Sequence, residues 1–184
     1  AFPSAIATGK PTLISTATAS SSASIEFTSG IDNTYDIYKW EYINIHPSTQ
    51  ANFQFNLSSD GGNNYNVTKT TTNFSAFQNE AGSSTSLGYR DTVDLAQSSA
   101  NQMVAQLNTD NDDNACGSLF LFSPASTTFV KHFISVSADS TSTFSQQRYV
   151  AGYANTTSAI NAIKFVAASG NLDSGTIKMY GISA

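Results

Sequence analysis

The chain has 184 residues, only 11% of them charged, less than half the ~25% usual in a soluble globular domain. Serine, threonine and asparagine make up about a third of it, so its solubility rests on hydroxyls and amides. Eight basic residues against thirteen acidic ones give a net charge of −5, which leaves no phosphate-binding stripe and excludes nucleic acid as a partner. A lone cysteine, Cys116, excludes an internal disulfide and a cysteine-based zinc site. No apolar run approaches the ~18 residues a membrane span needs, so no membrane insertion is expected.

Alternation of apolar and polar residues dominates the pattern, and helical periodicity is nearly absent. Strands are expected at 12–19 and 24–27, then a turn at 29–33. The strongest strand signal runs over 36–46, with Tyr38, Trp40 and Tyr42 on one face and Ile37, Lys39, Glu41, Ile43 and Ile45 on the other. Pro47 closes it, since proline donates no ladder hydrogen bond. A strand at 51–58 points Phe53, Phe55 and Leu57 one way, and 60–63 make a tight turn of residues that tolerate positive φ. The threonine-rich stretch 65–77 reads as a surface or edge strand.

Residues 78–115 carry the weakest pattern. Asp94, Leu95, Gln102, Met103, Gln106 and Leu107 fit one short amphipathic helix, so helix is expected only within 90–107; a broken strand pair is the rival. Strands return at 117–122, 129–138, 146–154, 160–167 and 176–182. Eight to ten strands joined by Gly/Asn/Ser turns predict an all-β, jelly-roll-like antiparallel sandwich, one domain over 12–184. Its core is expected to hold Trp40, Phe53, Phe55, Leu119, Leu121, Phe133, Ile163, Phe165 and Ile177. Residues 1–11, small and proline-flanked, read as an attachment arm.

Residues with chemistry are few. A nucleophilic triad needs a base held by a carboxylate; His46 ends a strand before proline, and His132 stands beside Lys131 in an alternating strand. A glycosidic carboxylate pair would have to use Glu26 or Glu41, both at solvated strand positions. The run Asp110-Asn111-Asp112-Asp113-Asn114 begins like a calcium loop, with Asp110, Asp112 and Asn114 as ligand candidates. It then fails where such a loop is most diagnostic, with Ala115 for the glycine and Leu121 for the glutamate. Tyr35, Tyr38, Trp40, Tyr42, Tyr65 and Tyr89 offer rings for sugar stacking, although aromatics at strand spacing are more often core. No catalytic residue, cofactor or defined glycan site is expected.

Several stretches together resemble a family. They are Ser29-Gly30-Ile31 with Thr34-Tyr35-Asp36-Ile37-Tyr38, Asn52-Phe53-Gln54-Phe55, and Ser59-Asp60-Gly61-Gly62-Asn63-Asn64-Tyr65. Downstream come Gly117-Ser118-Leu119-Phe120-Leu121-Phe122 with Pro124, and Lys131-His132-Phe133. The last are Thr157-Ser158-Ala159-Ile160-Asn161-Ala162-Ile163, Ser169-Gly170-Asn171 and Gly175-Thr176-Ile177-Lys178-Met179-Tyr180-Gly181-Ile182. This order resembles the small virion structural proteins of tailed bacteriophages, often labelled structural, appendage, decoration or tail-fibre proteins.

The resemblance implies a non-enzymatic protein on the virion exterior, made in the bacterial host cytoplasm. It also implies a symmetric homo-oligomer, expected as a trimer, that contacts major capsid or tail proteins. With neither heptads nor a β-helical repeat to form a shaft, a capsid decoration (cement) protein or compact appendage is favoured. A tail-fibre or receptor-binding module recognising host surface glycans is the alternative.

Overall fold

Alternating sequence is satisfied only where each strand buries one face against a second layer. The computed structural model describes residues 10–183, and it arranges them as twelve strands with no helix among the described residues. In chain order these are β1 (Thr12–Thr18), β2 (Ile25–Phe27), β3 (Ile37–Pro47), β4 (Ala51–Ser58), β5 (Lys69–Asn79) and β6 (Thr85–Tyr89). They continue with β7 (Gln102–Leu107), β8 (Ala115–Phe122), β9 (Lys131–Thr141), β10 (Phe144–Ala154), β11 (Ala162–Ala167) and β12 (Leu172–Ile182).

A four-stranded sheet in the order β2-β11-β4-β7 packs on an eight-stranded sheet in the order β1-β12-β3-β8-β9-β10-β5-β6. The antiparallel pairs β1·β12, β2·β11, β3·β8 and β4·β7 nest first to last, as in a folded ribbon rolled over on itself. That is the jelly roll. Two hairpins are inserted into it. β5–β6 lies between β4 and β7, β9–β10 lies between β8 and β11, and β10 joins them by pairing with both β9 and β5. The insertions double the width of one sheet and leave the other at four strands.

All nine residues expected in the core are at most 1% exposed. Phe165 sits among Phe27, Trp40, Phe53 and Phe55, with ring centroids 5.8–6.5 Å away. The face of β3 is as expected through Tyr42 and then reverses. Asn44 adopts φ 53° and the pairing slips on both sides of it, so Ile45, expected outside, is fully buried. Gly175 opposite, at φ 115°, permits this bulge, because a Cβ there would meet the Asn44 carbonyl oxygen at 2.7 Å.

Two further expectations are corrected. No helix occurs within 90–107; the segment ends in β7, where Gln102, Met103, Val104 and Ala105 are all buried, and burial on both faces erases alternation. The rival reading, broken strands, is closer. The threonine-rich stretch begins its strand at Lys69, and β5 is no edge: β10 flanks it on one side, β6 and the backbone at Arg90, Leu95 and Ser98 on the other. The edge on this side of the wide sheet is β6. The expected attachment arm lies, except for its last two residues, outside the described residues.

Candidate functional site

Because the narrow sheet ends at β7, it cannot cover the added strands with apolar side chains. Their inner face is accordingly polar. Lys69, Thr71, Asn73 and Ser75 of β5, Gln146 and Arg148 of β10, and Ser135, Ser137 and Asp139 of β9 are all buried. Such groups must find partners or destabilise the fold. Thr71 Oγ1 donates to Gln102 Oε1 (2.6 Å), Lys69 Nζ to Asn56 Oδ1 (2.6 Å) and the Val67 carbonyl (2.7 Å), and Ser137 Oγ to the Val104 carbonyl. Burial lowers the Lys69 ammonium to about 7 and raises the Asp139 carboxyl to about 6.

Between the outer side of β7 and this polar face lies an open cleft of about 420 Å³, lined among others by Arg90, Met103, Gln106, Gln146 and Arg148. Arg148 is 3% exposed; its Nη1 donates to Asn73 Oδ1 (3.0 Å), while its Nε has no acceptor. Gln146 Nε2 and Arg90 Nε both donate to Ser75 Oγ, at 3.1 and 2.8 Å. Beneath Gln106, whose N–H donates to Asp139 Oδ2 (3.2 Å), the second Asp139 oxygen is buried without a donor. Burial lowers the Arg148 pKa; the Asp139 carboxylate offsets this in part and the Arg90 charge adds to it. This cleft is the most chemically distinctive place in the fold.

The residues singled out in sequence are scattered. Tyr38, Trp40 and Tyr42 are fully buried and cannot stack on a sugar. Tyr35 packs edge-on to Tyr38, Tyr65 lies under the Lys164 ammonium and donates to Glu26, and Tyr89 donates to Asp94. Glu26 and Glu41 stand on opposite outer faces of the sandwich, Glu41 paired with Lys39 at 2.6 Å. His46 meets only the Asp110 carbonyl (3.3 Å), and His132 lies on the exposed face near the Tyr153 ring. Lys131, its sequence neighbour, points inward, so the two do not face one another.

In the acidic loop Asp110 and Asp112 are exposed, Asn114 is half-buried, and the buried carboxylate is Asp113. Asp113 accepts from the Ser142 N–H (2.6 Å) and Asn108 Nδ2 (2.8 Å), which ties the loop to the β9–β10 turn. No group of three or more His, Cys, Asp or Glu side chains with metal-holding geometry occurs among the described residues. With Ala115 and Leu121 at the two diagnostic loop positions, chelation is expected to leave Tm unchanged. A rise in Tm on adding calcium, abolished by Asp112→Ala, would contradict this.

No protein-family model matches the chain, and neither curated proteins nor solved structures yield a match.

Proposed function

We propose that this chain is a non-enzymatic structural protein of a bacteriophage virion, carried on the particle exterior as a capsid decoration protein or compact appendage and assembled as a homotrimer. The family is taken from the sequence resemblance. One observation supports assembly: the outer face of the inserted hairpins carries a partly exposed apolar row. Tyr89, Phe74, Tyr149 and Val136 form one cross-strand row, flanked by Leu87 on one side and Ile134 on the other. Leu87 is 73% exposed, and Phe74 stacks on Tyr149 at 4.9 Å in the open.

Contiguous exposed apolar surface marks interaction sites. The edge strand beside it, β6, reads Thr-Ser-Leu-Gly-Tyr, with none of the charges or prolines that block edge-to-edge pairing. None of the six side chains is charged, and the carboxylate bordering the row, Asp94, is held by the Tyr89 hydroxyl at one end of it. The net charge of −5 opposes association weakly, because the Debye length at physiological salt is about 8 Å.

Light scattering of the purified protein should give the mass of three chains, and antibody against it should label intact particles. Introducing charge at the face, as Phe74→Glu with Leu87→Lys, should yield monomers of unchanged circular dichroism. A wild-type monomer that labels no particle would overturn the reading. The tail-fibre or receptor-binding alternative draws its support from the arginine-lined cleft.

A further inference from the structure

We propose that the cleft between β7 and the inserted hairpins binds a carboxylate-bearing saccharide of the uronic or sialic acid class. This deepens the receptor-binding reading of the cleft and is independent of the oligomeric state.

Two guanidiniums, Arg90 and Arg148, line one cleft in a chain that carries only eight basic residues. Like charges converging on a partly dry site are costly unless an anion joins them. The buried Asp139 compensates only in part, since it neither lines the cleft nor approaches Arg148 within ion-pair distance. Arg148 Nε and Asp139 Oδ1 are both buried without a partner, so the positive charge at the cleft floor is incompletely compensated within the protein. Arg148 holds its Nη atoms on Asn73 and Gln146, whereas Arg90 engages only its Nε, on Ser75, so the Nη pair of Arg90 suits a carboxylate, which accepts two parallel hydrogen bonds.

The rest of the lining suits a sugar ring. Asn52 and Gln106 present amides and Thr92 a hydroxyl, the groups that pair with sugar hydroxyls, and the Phe77 and Phe144 rings, 5.4 Å apart, supply apolar surface. The volume lies within the range of small-molecule sites. A bare inorganic anion would use the arginines and leave the amides and rings idle.

Calorimetric titration with glucuronate, N-acetylneuraminate, glucose and sulfate tests the assignment. At least one of the two acidic sugars should bind, at least tenfold more tightly than glucose or sulfate. Arg90→Gln, at a half-buried position that leaves the core intact, should weaken that binding at least tenfold; Arg148→Lys should do the same if it folds. Sulfate binding as tightly as the acidic sugars would reduce the site to an anion hole and overturn the proposal. So would no heat of binding from either acidic sugar, or binding indifferent to Arg90→Gln. Scattering of the same samples separates this failure from failure of the assembly reading, because the cleft and the outer row lie on opposite faces of the inserted strands.

Discussion

Phe165→Ala should lower folding stability by about 3–5 kcal/mol, the range for removing a fully buried aromatic side chain. The residue is 0% exposed and touches rings from both layers: Trp40 of the wide sheet, and Phe27, Phe53 and Phe55 of the narrow one. Its deletion leaves a cavity between sheets held in place by long-range pairing, where the backbone has little freedom to collapse. The loss also removes four edge or offset ring contacts, each worth about 0.5–1.5 kcal/mol beyond burial. Urea denaturation measures it, with Phe129→Ala as the control, since Phe129 is 73% exposed and lies outside the apolar row, and such a substitution should stay within about 0.5 kcal/mol of the parent. If Phe165→Ala does not fold, Phe165→Leu keeps the test open and should still cost more than the control. A loss below about 1 kcal/mol for the alanine variant would show that this ring cluster does not hold the two sheets together.

The sandwich was legible because period-two alternation is a direct imprint of one-sided burial. Phe53-Gln54-Phe55 and Leu119-Phe120-Leu121 each state which face is inside, and the core follows from them. Two kinds of position escaped. Where a strand is covered on both faces, as at Gln102–Ala105, the imprint disappears. Where a bulge intervenes, as at Asn44, the period continues but changes sign, and Ile45 moves indoors.

The cleft escaped for a related reason. Arg148 shares an inward face with Val150, and Asp139 shares one with Phe133, so their burial was readable in register. Charge on a strand ordinarily marks solvent, as it does at Glu26 and Glu41, and that default hides Arg148 and Asp139. Nothing in local sequence announces that an inserted sheet outgrows its cover, because that depends on β4 and β7 closing the narrow layer far away in the chain. The rings that did stand out in sequence, Tyr38, Trp40 and Tyr42, proved to be core.

Folding stability should fall as pH rises from about 4 to about 6, the reverse of ordinary acid denaturation. The group responsible is Asp139. It is 4% exposed, one of its oxygens has no donor, and burial raises its carboxyl from the usual 3.8 to about 6. In that window the folded chain holds a proton that the unfolded chain has released, so raising the pH favours unfolding. The span corresponds to about 3 kcal/mol at ~1.4 kcal/mol per pH unit. Asp32, Asp60 and Glu41 have lowered pKa values through their hydrogen-bond donors and act in the opposite sense. Their contribution is lost below about pH 4, and they are exposed enough for solvent to screen them. Lys69 acts above neutrality: burial lowers it to about 7, so the unfolded chain binds the extra proton between about 7 and 10.5, and stability should climb again. The two groups together predict a stability minimum between about pH 6 and 7. Urea midpoints measured from pH 4 to 9 should trace it. Asp139→Asn should flatten the acid side while leaving the alkaline rise in place, and Lys69→Met should do the converse. A profile that rises steadily from pH 4 to 7, in the parent and in Asp139→Asn alike, would mean that the Asp139 carboxylate is solvated or paired in the folded protein.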